Sequence, residues 1–345
     1  MKTLNIELGH TSYPIFIDSG TTADASIAAR VREYCPNGRA AVISDENVWE
    51  LHKDRLEGLG IELLPIIVKP GEGSKSMQTL ERVYAELCAH GLKRSEPIIA
   101  FGGGVVGDLA GFAAATYMRG ANFIQIPTTL LAQVDSSVGG KVAVNLEQGK
   151  NMVGSFYQPK MVIIDTDMLD TLPKREFAAG MAEVIKYAAI DDCGVLEILE
   201  ADEPHDMQEI IYLCCKSKAG VVERDELDMG ERMILNFGHT FGHAIEKLNH
   251  YEKYNHGEAV ALGMMLAARV GVRMGKTAAE VPDRIAAMLK RADLCDKFED
   301  VAAIIPLMSG DKKNSGALIT LVLVSDMGQP FVCEIGMDEL AKMVL

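Results

Sequence analysis

Pro97-Ile98-Ile99-Ala100-Phe101-Gly102-Gly103-Gly104-Val105-Val106-Gly107-Asp108 reads as a buried strand running without a break into a glycine loop and the start of a helix. The apolar run is short and Ile-rich, as a parallel strand covered on both faces should be. Strand, glycine loop and helix is the order a phosphate cradle requires. Glycines let the backbone approach a pyrophosphate, and the first turn of the helix offers free N–H groups at the positive end of its dipole. Gly102, Gly104 and Gly107 satisfy G-x-G-x-x-G. The acidic residue that should follow about twenty positions later is absent, because that region reads Asn122-Phe123-Ile124-Gln125-Ile126. The glycines also suit a second reading, a turn for tight strand–helix packing. A dinucleotide bound here would need its ribose contact from elsewhere.

Working outward, Arg39 to Ser44 and Ile61 to Val68 are strands, with helical runs at Ala23 to Tyr34 and Asn47 to Leu59. This alternation marks a parallel α/β sheet. Asp45 stands directly after its strand, at the carboxyl edge where such sheets bind ligands, which makes it a candidate ribose contact; it equally suits an N-cap. Leu4 to Leu8 and Tyr13 to Asp18 read as a strand pair. Pro70 to Ser76 is a turn carrying Glu72 and Lys75, before a helix that ends near His90. Beyond the glycine loop come a strand at Phe123 to Ile126, then Pro127-Thr128-Thr129, the run Gln133 to Lys141, Lys150-Asn151 after a further turn, and a last parallel strand at Met161 to Ile164. The β pattern stops at Thr171-Leu172-Pro173. The expected organisation is an α/β parallel-sheet nucleotide-binding domain over residues 1–170, followed by an all-helical metal-binding domain over 171–345, interrupted only by a hairpin at Ala317 to Val324 and Phe331 to Ile335.

In the second part, Arg175 to Ile190 is a helix with Glu183, Lys186 and Tyr187 on one face; a Glu and Lys so spaced commonly form a solvated pair. Met207 to Arg224 is a helix with Lys216 and Lys218, and an acidic turn, Asp225 to Gly230, leads through Arg232 to Asn236-Phe237-Gly238-His239-Thr240-Phe241-Gly242-His243-Ala244-Ile245-Glu246. His239, His243 and Glu246 sit at i, i+4 and i+7 and line one helix face. His256, seventeen residues after His239, opens another helical run, so the chain can turn back and bring two imidazoles together. A lone histidine on an apolar face is usually a satisfied core or capping group. Here four of the eight histidines, counting His250, fall within about twenty residues beside two carboxylates. That density favours a metal or acid/base site. A catalytic zinc site takes three N or O ligands and leaves a position open. Spacing alone does not choose among His239, His243, His256, Glu246 and Glu258.

With 345 residues the chain has room for two domains with sizeable cores. Seven cysteines, scattered without a C-x-x-C pair, are reduced-compartment usage. No apolar run reaches about 18 residues and MKTLNIELGH lacks a signal peptide's apolar segment, so the expected location is the cytoplasm. A net charge of −15 argues against nucleic acid and anionic membranes as partners. An anionic substrate would need a local basic cluster to overcome that field.

Phe101 to Asp108 with Ala115-Thr116-Tyr117-Met118-Arg119-Gly120, Asp135 to Lys141, Gly149-Lys150-Asn151, Glu183-Val184-Ile185-Lys186, Asn236 to His243 and His256 to Val260 together resemble the 3-dehydroquinate synthase family, from about Tyr13 to Asp311-Lys312-Lys313-Asn314. The resemblance implies an NAD- and zinc-dependent lyase, with cobalt a possible substitute metal, that turns 3-deoxy-D-arabino-heptulosonate 7-phosphate into 3-dehydroquinate and phosphate. In that reaction the C5 alcohol is transiently oxidised, which acidifies the C6 proton. Phosphate leaves, the ketone is reduced again, and an intramolecular aldol step closes the ring. It is a step of aromatic amino acid biosynthesis.

Carried over motif by motif, the resemblance makes Glu183, His239 and His256 the metal ligands and leaves His243 for the substrate. Lys141, Asn151, Arg232, Asn236 and Lys312, with Arg119 of a neighbouring subunit in a homodimer, form the pocket for the substrate's carboxylate and phosphate. Asp135, Lys186 and Lys218 contact hydroxyl or carboxylate groups. The NAD side uses Asp45, Glu72, Lys75, Gly103, Gly104, Val105, Asp108, Thr128, Thr129, Lys150 and Thr171. The departing phosphate takes the acidic proton itself. One departure stands out: Asp228 occupies the position where the family commonly has Glu, and Gly230-Glu231-Arg232 replaces Gly-Leu-Arg. Sister sugar-phosphate cyclases and metal-dependent polyol dehydrogenases share the apparatus but have no use for the full cationic set, and a silent NAD-binding sensor would have lost part of it.

Overall fold

The computed structural model describes residues 1–201, 205–249, 253–308 and 318–344. Lys312, its neighbours Asp311 to Asn314, and His250 lie outside the described residues. The chain divides into two compact units, Met1–Leu172 with Met207–Cys215, and Pro173–Asp206 with Lys216–Leu345.

The first unit runs β1 (Lys2–Ile6), β2 (Tyr13–Asp18), α1 (Ala25–Glu33), β3 (Arg39–Asp45), α2 (Glu46–His52), β4 (Glu62–Val68), α3 (Met77–Ala89), β5 (Ile98–Gly102), α4 (Gly104–Thr116), β6 (Phe123–Pro127), β7 (Lys141–Leu146), β8 (Gly149–Phe156) and β9 (Met161–Asp165). Seven strands form one sheet in the order β1-β2-β9-β6-β5-β3-β4. It is parallel except for the β1–β2 pair at its edge. The period of two along β5 explains why that stretch must be apolar throughout. Ile98 and Ala100 join a core with Val83 and Leu87 of α3 and Leu109 and Ala113 of α4. Ile99 and Phe101 point the other way, into a core with Ile27 and Val31 of α1.

From β3 the chain goes to β4 on one side, then crosses back to β5 and on to β6 on the other. The sheet therefore has its topological switch between β3 and β5, and Asp45 and Gly103 stand at the two carboxyl ends that bound it. The helix expected over 47–59 is α2 followed by a 3-10 run, Lys53–Leu59. The β7–β8 hairpin was not foreseen; Val142 of β7 lies so close to α4 that a Cβ on Gly111 would stand 2.3 Å from its Cγ1.

The second unit holds α5 (Lys174–Ile190), α6 (Val195–Glu200), the latter half of α7 (Met207–Arg224), α8 (His239–Leu248), α9 (His256–Arg273), α10 (Val281–Arg291), α11 (Val301–Met308), β10 (Leu318–Val324), β11 (Pro330–Gly336) and α12 (Met337–Val344). It is helical but not all-helical, because the expected antiparallel β10–β11 hairpin forms. Thr277, just after α9, ties that hairpin down by donating its hydroxyl to Val324 O at 2.6 Å. One difference concerns α7, whose first half belongs to the α/β unit. Ile210, Ile211, Cys214 and Cys215 are buried, Gln208 Nε2 donates to Ile17 O at 3.1 Å, and Cys215 Sγ donates to Gln133 O at 3.2 Å. Among the described residues no helix is long and apolar enough to cross a membrane.

Candidate functional site

Helix α5 buries a carboxylate and an ammonium side by side. Glu183 is wholly buried, Lys186 is 1% exposed, and Lys186 Nζ stands 2.6 Å from Glu183 Oε2. The solvated pair allowed by spacing is instead a core pair, which only mutual charge compensation makes tolerable. The other oxygen, Oε1, faces two imidazoles: His239 Nε2 at 3.7 Å and His256 Nε2 at 3.5 Å. The donor atoms of Glu183, His239 and His256 all lie within 4.8 Å of one another. One carboxylate oxygen and two imidazole nitrogens converging on a point from three helices is a donor set that suits zinc and its neighbours.

Electrostatics separates the two rings. Burial pushes the His239 imidazolium down to about 3, which favours the neutral form that a metal ligand needs. Burial acts against charge on His256 as well, but Glu183 and Glu246 outweigh it and raise the group to about 9. Glu246, 2% exposed, places Oε2 3.5 Å from His256 Nδ1, behind the ring. His243 is exposed, its ring 5.6 Å from that of His239 and 6.0 Å from that of His256. It forms a second possible donor group with Glu246 and His256. Glu258, open as a candidate on spacing, closes the Asn255 capping box of α9 and pairs with Arg175 at 2.7 Å.

Around this cluster the second unit buries further cations. Arg232 is 2% exposed and Lys218 7%. Arg232 Nη1 donates to Glu226 O at 2.7 Å, and Asp225 accepts from the backbone N–H groups of Met229, Gly230 and Arg232, which fixes the turn that delivers it. Asn236 ends the 3-10 run Glu231–Asn236, partly buried. Asp228 has φ 57, a left-handed conformation that Asp adopts more readily than Glu.

In the first unit the glycines of the loop differ in their surroundings. A Cβ on Gly102 would stand 2.7 Å from Val106 Cβ, so Gly102 serves packing. Gly103 is the N-cap of α4 and no side chain caps that end, which leaves the Gly104 and Val105 amides facing the switch point. Asp45 serves as the N-cap of α2. Its Oδ1 accepts from Asn47 N and Val48 N at 3.0 Å each and caps α2, while among the described residues Oδ2 carries no hydrogen bond. Thr128 is 3% exposed with its Oγ1 unpartnered, and Thr129 Oγ1 accepts from Ala132 N. Asp135 lies in a π-helical turn, Ala132–Ser136, a geometry found often at functional sites.

Lys75 forms an ion pair with Asp108 and donates to Asn151 Oδ1 at 2.5 Å, so three candidates share one network. Glu72 joins it through Asn145, whose Nδ2 donates to Glu72 Oε1 at 2.7 Å. Sequence reasoning missed Asn145. Lys141 is exposed and Lys150 half-buried, on the β7–β8 hairpin. Thr171 Oγ1 meets His52 Nε2 at 2.7 Å, and burial lowers the His52 pKa. Met118 and Arg119 have φ 48 and 67, two consecutive left-handed residues without a glycine, and Met118 is 48% exposed.

Two family models cover most of the chain: 3-dehydroquinate synthase N-terminal over residues 65–179 and 3-dehydroquinate synthase C-terminal over 180–314. A curated 3-dehydroquinate synthase of Clostridium acetobutylicum is 44% identical over 353 residues, covering 99% of both chains. That of Halorhodospira halophila is 46% identical over 341 residues, covering 96% of this chain and 95% of the relative. Among solved structures, 2-deoxy-scyllo-inosose synthase complexed with carbaglucose-6-phosphate, NAD+ and Co2+ superposes with a TM-score of 0.84 at 26% identity, covering 99% of each chain. Glycerol dehydrogenase of Schizosaccharomyces pombe, at 16% identity and TM-score 0.65 over 96% of this chain and 87% of that one, shares the fold.

Proposed function

The chain belongs to the 3-dehydroquinate synthase family, and from that premise we propose that it converts 3-deoxy-D-arabino-heptulosonate 7-phosphate to 3-dehydroquinate and phosphate in the shikimate pathway. The observation that carries the reading is the convergence of Glu183, His239 and His256, backed by buried Lys186. Those three residues would hold a divalent ion, zinc by the donor set. When bound, the ion would polarise substrate hydroxyls and NAD would take up and return a hydride.

The chain's own groups do the rest. Lys186 pairs with Glu183 Oε2 and leaves Oε1 turned toward the histidines. Glu246 accepts from His256 Nδ1 and so turns Nε2 to the ligating side. His243 offers a hydrogen bond to substrate from its exposed ring. Arg232, Lys218, Asn236, Lys141, Asn151 and Lys312 are the cations and donors that a doubly anionic substrate needs in a chain of net charge −15. Once the C5 position is a ketone, the departing phosphate removes the neighbouring proton, so no protein base is required. Asp45, Glu72, Lys75, Gly103, Gly104, Val105, Asp108, Thr128, Thr129, Lys150 and Thr171 bind NAD, with Asp45 Oδ2 on a ribose hydroxyl. Asp135 positions a substrate hydroxyl. Arg119, on its exposed left-handed corner, serves a neighbouring subunit in a homodimer. Seven free cysteines suit the cytoplasm.

The test is phosphate release with catalytic NAD and added zinc, with absorbance followed for net NADH. Stoichiometric phosphate without accumulating NADH is the expected result. Release from glucose 6-phosphate or sedoheptulose 7-phosphate, but not from the heptulosonate, would move the chain to a sister cyclase. The lower identity to the inosose synthase speaks against that outcome.

A further inference from the structure

Asn145 sits at an irregularity of the β7–β8 hairpin, where the register shifts between Val144 and Leu146. Bulges of this kind turn a side chain away from the regular pleat. Here the side chain is turned to the loop Pro70 to Ser76. Asn145 makes three bonds. Its backbone N–H donates to Lys75 O at 2.8 Å, its Nδ2 donates to Glu72 Oε1 at 2.7 Å, and its Oδ1 accepts from Asn151 N at 2.8 Å. A carboxylate on one side and an N–H on the other leave only this orientation of the amide. Asn151 needs such a hold, because its backbone is left-handed, with φ 56. Its side chain in turn accepts from Lys75 Nζ, which is paired with Asp108. The bonds close a ring: Glu72, Asn145, Asn151 and Lys75, with Asp108 attached.

We propose that Asn145 is a positioning residue for the reaction, which holds the Glu72 carboxylate toward NAD and the Asn151 side chain toward substrate at one fixed separation. The role rests on the functional reading above, in which Glu72 and Lys75 belong to the nucleotide and Asn151 to the substrate. Asn145 itself touches neither ligand; it acts through the two residues it joins.

The test is Asn145→Asp, which keeps size, the backbone bond and the acceptor for Asn151 N but sets a carboxylate against that of Glu72. NAD is titrated calorimetrically into the metal-loaded protein, and melting is followed without NAD. The expected result is an NAD Kd raised at least about tenfold, with melting shifted by no more than about 2 °C. In a Glu72→Gln background the same change should cost less than about twofold, because a Gln amide can donate to the new carboxylate. Asn145→Ala should raise the substrate KM as well as weaken NAD, by releasing Asn151. An unchanged NAD Kd in Asn145→Asp, or an equal loss with and without Glu72→Gln, would overturn the role. If the parent protein itself fails to bind NAD, the functional reading and this role fall together; normal parent binding with an insensitive variant overturns the role of Asn145 alone.

Discussion

Gly257 of α9 lies against the backbone of Ala179 of α5 so closely that a Cβ at 257 would stand 2.1 Å from Ala179 O and 2.5 Å from its Cα. Gly257 follows His256 directly, and Ala179 stands one helical turn before Glu183. This contact therefore sets the spacing of a carboxylate and an imidazole that are 3.5 Å apart. Backbone cannot move aside as a flexible side chain can, so any larger residue must part the helices.

Gly257→Ala should accordingly separate the helices by on the order of 1 Å, twice the tolerance of a preorganised site, and weaken metal binding by at least about tenfold. Competition with a chromophoric chelator measures it. Parent-like affinity would mean that the glycine contact does not govern the ligand spacing.

Lys186 is the cation that makes buried Glu183 tolerable. Lys186→Met keeps the stem and removes the charge, leaving a carboxylate with no cation at 2.6 Å. Loss of one partner of a buried pair costs about 3–5 kcal/mol, so the melting temperature in chelator should fall sharply. Zinc should restore part of it, because the ion supplies the missing positive charge. A variant equally destabilised with and without zinc would place the role of Lys186 away from the Glu183 charge.

What the sequence disclosed and what it hid follow from locality. The strands of the main sheet were legible because Ile98 to Phe101 and Met161 to Ile164 are apolar on both faces, a local signal. The β7–β8 hairpin was not, because β8 is half-exposed with polar residues along it, and β7 is tied through Asn145 to Glu72, some seventy positions away. The histidine face of α8 was legible from its i, i+4 spacing. Spacing did not choose the carboxylate beside it, since Glu258 is nearer in sequence than Glu183; motif resemblance singled out Glu183, and the approach of α5 to α9 brings that residue to His256. Asp45 stands at the carboxyl edge of the sheet as its place after the strand implied, and its capping bonds engage only Oδ1.

The left-handed backbone at Asp228, φ 57, yields a prediction opposite in sign to what family preference would suggest. Asp228→Glu should lower stability by about 1 kcal/mol, because Glu visits the left-handed region less readily than Asp. Asp228→Asn should be close to neutral. Urea unfolding measures both, and a stabilised Glu variant would refute the conformational account.

Glu96, at the start of the β5 segment, provides the acid-stability prediction. It is fully buried and accepts from Arg39 Nε at 2.8 Å, Asn37 Nδ2 at 2.7 Å and Lys93 N at 2.7 Å. Burial works against its charge, but these bonds, led by Arg39, more than offset that and bring its pKa from 4.5 down to about 2. A carboxylate with a depressed folded-state pKa contributes stability that is complete above its unfolded value and is lost as pH falls through the folded one. The window is thus roughly pH 4.5 down to 2. Solvent reaches Arg39, whose side chain keeps 23% of its surface, so the contribution is on the order of 2 kcal/mol after screening. Glu96→Gln should be less stable than the parent by about that amount at pH 7. The gap should narrow steadily as pH drops through the window, since the parent then loses the same charge. A gap independent of pH would attribute the loss to packing, and the charge on Glu96 would have no part in it.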